Sequence, residues 1–175
     1  GFFIEIFGGL SGVFCFYRFG FEYETILMFV ITMILLAITM IDFDTMIIPD
    51  GLNIAMFLVC LVLMFVRQMS LVDSIIGMFC FSLPMFLLNL VIPDSFGGGD
   101  IKLMFASGIA LGWKYSLLAA FIGVLIAGIY CIYLLLTKKV DKKGHIAFGP
   151  YLSIGIFIAL CYGYEIVSWY LNLLM

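Results

Sequence analysis

Long apolar runs separated by short polar joints pattern this chain from end to end. The runs cover about residues 2–19, 25–42, 50–67, 71–92, 101–113, 115–137 and 147–173. All but the fifth reach the roughly 17 residues that a helix needs to cross a hydrocarbon core. Lipid offers no partner to backbone N–H and C=O groups, so runs of this length predict helices, which satisfy those groups internally. The fifth run would rise only about 20 Å against a core of about 30 Å. It is expected to begin at depth beside a water-filled cavity. The pattern predicts an all-α, polytopic membrane helix bundle of about seven transmembrane or re-entrant helices, built as one membrane-embedded domain over 1–175.

Composition agrees. Of 175 residues, 66% are hydrophobic and only 11% charged, and the mean hydropathy is +1.29. These values place the chain among integral membrane proteins, with lipid as its surroundings. A net charge of −3 leaves no basic stripe for a phosphate backbone, so nucleic acid is not an expected partner. Cys15, Cys60, Cys80, Cys131 and Cys161 lie singly in apolar segments with no Cys-x-x-Cys spacing, which reads as core packing; no metal site is expected. The chain opens on Gly1-Phe2-Phe3-Ile4, with neither an initiator Met nor a basic flank, and a truncated N-terminus is expected.

Basic residues in the joints set the expected orientation. With seven crossings, one face holds Lys102, Lys138, Lys139, Lys142 and Lys143, and the other Arg18, Arg67 and Lys114. The lysine-rich face, which also carries the N-terminus, is predicted to be cytoplasmic. Asp42, Asp44, Asp50, Asp94 and Asp100 fall in joints on that same face, so two aspartate clusters are predicted to share one side of a cytoplasmic membrane.

Those aspartates are the candidate chemistry. Asp42 ends the apolar run 26–41, where an ionisable group is costly and marks a functional candidate. Asp44, two residues on, would face nearly the opposite way on a continuing helix, so only one of the pair should enter a site. Asp50 follows Pro49 at the start of the third run, the place of a helix N-cap. In Gly97-Gly98-Gly99-Asp100-Ile101-Lys102, three glycines open positive φ and leave room for an approaching peptide backbone. A plain flexible loop with Asp100 as N-cap is the alternative. Lys102 reads as a snorkelling anchor rather than a catalytic base. His145 reads as a solvated loop residue, and Pro150 either breaks the backbone near the site or occupies the first turn of the last helix. Calcium is not expected at Asp42-x-Asp44, because Met46 takes the next ligand position.

Two aspartates within hydrogen-bonding reach cannot both ionise cheaply. They share a proton, so that one activates water while the other polarises a carbonyl, and peptide hydrolysis follows without a cofactor. Asp42 and Asp100 are the candidate catalytic pair. Intramembrane aspartates also mark ion pathways, and an ion-coupled membrane transporter is the alternative reading.

These motifs resemble the type IV prepilin peptidases, membrane aspartyl proteases of the Gly-x-Gly-Asp class. Asp42 lies seven residues before Pro49 and ahead of Asp50, as the family's first catalytic aspartate does. Gly97, Gly99 and Asp100 fit the second motif, with Gly98 between them and Lys102 beyond. Phe148-Gly149-Pro150-Tyr151-Leu152 is similar to the stretch opening the family's last helix, and Glu5 ahead of Gly9 resembles an early Glu-x-x-x-Gly. The resemblance implies cleavage of the basic leader from prepilins or pilin-like proteins at the cytoplasmic membrane face. It also implies supporting or substrate-binding roles for Gly97, Gly98, Gly99, Lys102, Pro49, Asp50, Gly149, Pro150 and Glu5. Long members carry a zinc-binding region with paired Cys-x-x-Cys, which these 175 residues lack. Many also methylate the new pilin N-terminus with S-adenosylmethionine, for which Glu5 and its neighbouring glycines are candidates through the resemblance alone. On the predicted cytoplasmic face, Glu5, Asp42, Asp44, Asp50, Asp94, Asp100 and Asp141 outnumber the five lysines, a balance suited to a basic leader.

Overall fold

A computed structural model describes residues 1–139 and 146–175. Its elements, all helices, are α1 (Phe2–Phe19), α2 (Tyr23–Thr45), α3 (Asp50–Val66), α4 (Leu71–Phe79), α5 (Ser82–Val91), α6 (Gly98–Leu136) and α7 (Gly149–Leu174). Taken as Leu71–Val91, α4 and α5 form one apolar stretch, and with α1, α2, α6 and α7 they make five stretches long and apolar enough to span a bilayer; α3 is a shorter apolar helix. The expected count of about seven crossings survives because α6 is two helices in one. At Gly112 the backbone takes φ 71° and ψ 179°, a conformation open to glycine and closed to residues with a Cβ.

The direction of each half of α6 follows from its neighbours. Residues 98–111 run antiparallel to α4, with Gly108 against Gly77 and the Phe105 ring 5.4 Å from that of Phe79. Residues 113–136 run antiparallel to α7, with Tyr115 at Gly163, Ala119 at Gly155 and Gly123 at Leu152. The chain therefore travels away from Asp100, turns at Gly112 and returns. The first half rises only about 21 Å, as its short apolar run predicts. Asp73 Oδ1 accepts the Trp113 N–H at 3.3 Å, so a carboxylate from the start of α4 satisfies one of the free donors opening the second half.

Small residues let these helices touch. Lipid tails supply no hydrophobic drive for helix association, which leaves close packing as its source. A Cβ on Gly108 would lie 2.6 Å from the Gly77 carbonyl carbon, and one on Gly155 3.1 Å from the Gly123 nitrogen. The core between them is filled by Met28, Ile31, Ile38, Met56, Leu63, Leu103, Met104, Leu152 and Ile156, all essentially inaccessible.

The end remote from Asp42 and Asp100 is tied by arginines. Arg18 pairs with Glu165 and donates to the Cys161 carbonyl. Arg67 pairs with Glu24 at 2.6 Å and donates to the Leu160 carbonyl at 3.2 Å. These contacts fasten α1, α2 and α3 to α7 and set the depth at which α7 presents its other end to Asp42.

Candidate active site

The site forms where α2 ends and α3, α6 and α7 begin. Asp42 occupies the last full turn of α2, which closes when Met46, at φ 55°, donates its N–H to the Asp42 carbonyl. The side chain of Asp42 is 4% exposed. Asp44 is exposed, as the opposed facing of residues two apart on a helix requires.

Asp100 lies in the first turn of α6 and is 7% exposed. The helix N-cap is Gly97, not Asp100, and no side chain caps it. The glycines also differ from expectation. Gly97 has φ −65° and ψ 142°, Gly98 and Gly99 are already helical, and none of the three has positive φ. Their value is space. A Cβ on Gly99 would lie 2.7 Å from the Ile48 Cβ, and one on Gly97 3.1 Å from Asp100 Oδ2, while Gly98 has open space around it.

Ile48 explains how the two aspartates are assembled. It belongs to the short joint between α2 and α3, where Ile47 is 68% exposed and Ile48 only 5%. Its side chain packs against Gly99 and reaches within 3.1 Å of where a Gly149 Cβ would stand. The helix ends carrying Asp42 and Asp100 thus close over one isoleucine.

Gly149 opens α7 and donates its backbone N–H to Asp42 Oδ2 at 3.0 Å. Pro150 follows in the first helical turn, where its missing N–H costs nothing, and is fully buried. The Phe148 ring lies 5.9 Å from that of Phe96, joining the entry to α7 to the segment before the glycines.

Other expected residues have different places. Pro49 is the N-cap of α3. Asp50 is the first helical residue and pairs with Lys102 Nζ at 2.7 Å, both side chains being more than half exposed. Asp50 is therefore no N-cap, and Lys102 is a surface partner across α3 and α6 rather than a free snorkelling anchor. Glu5 is exposed in the first turn of α1 and has no ion-pair partner among the described residues. Asp141, Lys142, Lys143 and His145 lie outside the described residues.

Two asparagines that no sequence motif marks join the site. Asn89 brackets Phe96, accepting its N–H and donating to its carbonyl, both at 2.8 Å. Asn53, 5% exposed on α3, donates from Nδ2 to the Gly99 carbonyl at 3.3 Å. Each is a polar side chain inside an apolar helix, and that cost is the signal that could have marked them.

Residues 29–132 match the family model described as the type IV leader peptidase family. A prepilin leader peptidase/N-methyltransferase of Aeromonas salmonicida is 32% identical over 157 residues, covering 86% of this chain and 54% of that protein. The protein of that name from Bacillus subtilis is 31% identical, covering 89% of this chain and 63% of itself. The one from Stutzerimonas stutzeri is 29% identical, covering 97% and 61%. The chain thus spans somewhat over half the length of these relatives. No solved structure matches it.

Proposed function

Because this chain belongs to the type IV leader peptidase family, we propose that it is a membrane aspartyl endopeptidase that removes the basic leader from type IV prepilins or pilin-like proteins. The observation that carries the reading is the burial of Asp42 and Asp100 at one end of the bundle, on helix ends that meet over Ile48. Family membership lends nothing to an ion-coupled transporter.

In this mechanism the pair holds one proton between its two carboxyls. The ionised member takes a proton from water as the water oxygen bonds to the scissile carbonyl carbon. The protonated member gives its proton to the carbonyl oxygen. Collapse of the tetrahedral intermediate breaks the C–N bond, and the nitrogen leaves as an amine after receiving a proton from the pair. Which aspartate begins protonated is a property of the coupled pair. The Gly149 N–H holds Asp42 in place throughout.

The enzyme would sit in the cytoplasmic membrane with the pair facing the cytoplasm, a placement supported by the lysines at the same end of the chain's crossings. Lys102 and Asp50 form an exposed pair on the first turns of α6 and α3, beside the aspartates, and would meet the leader. A role for Glu5 and its neighbouring glycines toward S-adenosylmethionine rests on the family resemblance alone. Glu5 is exposed and Gly9 has open space around it, while Gly8 and Gly12 face the Met33 and Phe29 side chains. No step is assigned to that cofactor.

The direct test is incubation of the protein, reconstituted in lipid vesicles, with a panel of prepilins, locating any cut by mass. Cleavage between leader and apolar helix that is lost in Asp42→Ala and in Asp100→Ala is the expected result. Cleavage at near wild-type rate by either variant would overturn the pair.

A further inference from the structure

Asn53 presents a physical problem that its single hydrogen bond does not solve. Its Nδ2 holds the Gly99 carbonyl, yet its Oδ1 is buried with no partner among the described residues, and the same is true of Asp100 Oδ1. A buried acceptor without a donor costs free energy, and native structures keep few of them. Here two occur on residues tied to each other through one peptide unit, since Gly99 directly precedes Asp100.

The surroundings show that the contact is built. The first turns of α3 and α6 are joined on the outside by Asp50 and Lys102 and on the inside by Asn53 and Gly99. Asn89 fixes the segment just before the glycines at Phe96. Between these two asparagines Gly97 and Gly98 bear no side chain that could hold the turn. The orientation of Asp100 then depends on what grips Gly99, and within the described residues that grip is the Asn53 amide together with the Ile48 side chain.

We infer that Asn53 is a positioning residue of the cleavage reaction: its Nδ2 sets the Gly99 peptide and so the angle of Asp100, and its Oδ1, like Asp100 Oδ1, accepts a hydrogen bond from water at the site. Both atoms are acceptors, and water offers two O–H donors. An amide oxygen can orient water without competing for its proton, which leaves proton abstraction to the aspartates. The inference rests on the proposed leader cleavage and extends it to a residue outside the aspartate motifs.

Steady-state cleavage of a prepilin substrate by the vesicle-reconstituted protein tests this with Asn53→Leu, which removes both polar atoms at similar size, and Asn53→Ser, a smaller polar change that cannot reach Gly99. Both should lower kcat by about tenfold or more and leave KM within about twofold, the mark of a group acting on the chemical step. A second measurement needs no substrate. Gly98→Cys, where a side chain meets open space, is placed in a background with the two half-buried cysteines Cys80 and Cys131 replaced. Its maleimide labelling rate reports how firmly the turn is held. Asn53→Ser should raise that rate at least about threefold, as expected when a local tie is lost. Unchanged kcat, a rise in KM alone, or unchanged labelling overturns the inference. If the wild-type protein cuts no prepilin, leader cleavage fails as a function, while the labelling arm still decides whether Asn53 holds the turn.

Discussion

The backbone N–H of Gly149 donates to Asp42 Oδ2 at 3.0 Å, so the first residue of the last helix fixes a carboxylate that lies 107 positions earlier in the chain. The approach is close enough that a Cβ on Gly149 would stand 2.6 Å from that oxygen and 3.1 Å from Ile48 Cδ1. Gly149→Ala is expected to push Asp42 aside and lose a hydrogen bond to a charged or proton-sharing group, worth about 1.5–3 kcal/mol. Cleavage should fall roughly 10- to 100-fold with the helical far-ultraviolet spectrum unchanged. Full activity in Gly149→Ala would show that the contact does not bear on the chemistry.

Asp44 offers the sharpest control for the proposed catalytic pair. It is two residues from Asp42 but exposed, whereas Asp42 is 4% exposed. Asp42→Asn and Asp100→Asn should each reduce prepilin cleavage to background, a loss of at least about a thousandfold. Asp44→Asn should stay within about threefold of wild type at moderate salt, because an exposed charge contributes little beyond screened steering. Equal losses in all three would mean that the site is an acidic surface and not a pair.

Lys102 and Asp50 form an exposed ion pair at 2.7 Å, and exposed pairs contribute about 0–1 kcal/mol. Lys102→Met is accordingly expected to lower the thermal midpoint by no more than a few degrees and to leave kcat within several-fold. A loss of a hundredfold or more in kcat would instead make Lys102 a proton-transfer group.

The contact between Gly77 and Gly108 predicts a different kind of failure. A Cβ on Gly108 would sit 2.6 Å from the Gly77 carbonyl carbon and 2.9 Å from the Met78 Cα, backbone that cannot swing away. Gly108→Ala should cost about 1–3 kcal/mol by forcing α4 and α6 apart, read as a lower unfolding midpoint in detergent. Gly128→Ala, with no neighbour within 4 Å, should be neutral or raise stability by up to about 1 kcal/mol through helix propensity. Equal effects from the two would refute close packing as the reason for Gly108.

Much of this arrangement was open to a reading of residues in order. Apolar runs divided by polar joints located the crossings, and the alternation of faces placed Asp42 and Asp100 at one end, where they are found. The corner inside α6 was legible only in part. The run 101–137 was divided near Trp113 and Lys114, whereas the chain turns at Gly112 and is held there by Asp73 from another helix. A partner forty residues away leaves no mark on local hydropathy.

The glycines at 97–99 show the same limit from the other side. A glycine run reads as freedom of φ, but these residues start a helix with ordinary φ, and at Gly97 and Gly99 the need for no side chain comes from Asp100 and Ile48. Asn53 and Asn89 read as stray polar residues until the peptide groups they bind are known. Transfer of a segment from water to lipid depends on the sum of its side chains, so order along the chain was enough to decide which segments enter the membrane and which end carries the acids. Inside the bilayer that sum no longer distinguishes one packing from another, because lipid and helix faces are equally apolar. The choice of partners fell to contacts of a few ångströms between small residues, buried amides and one isoleucine, and those contacts exist only once the helices have met.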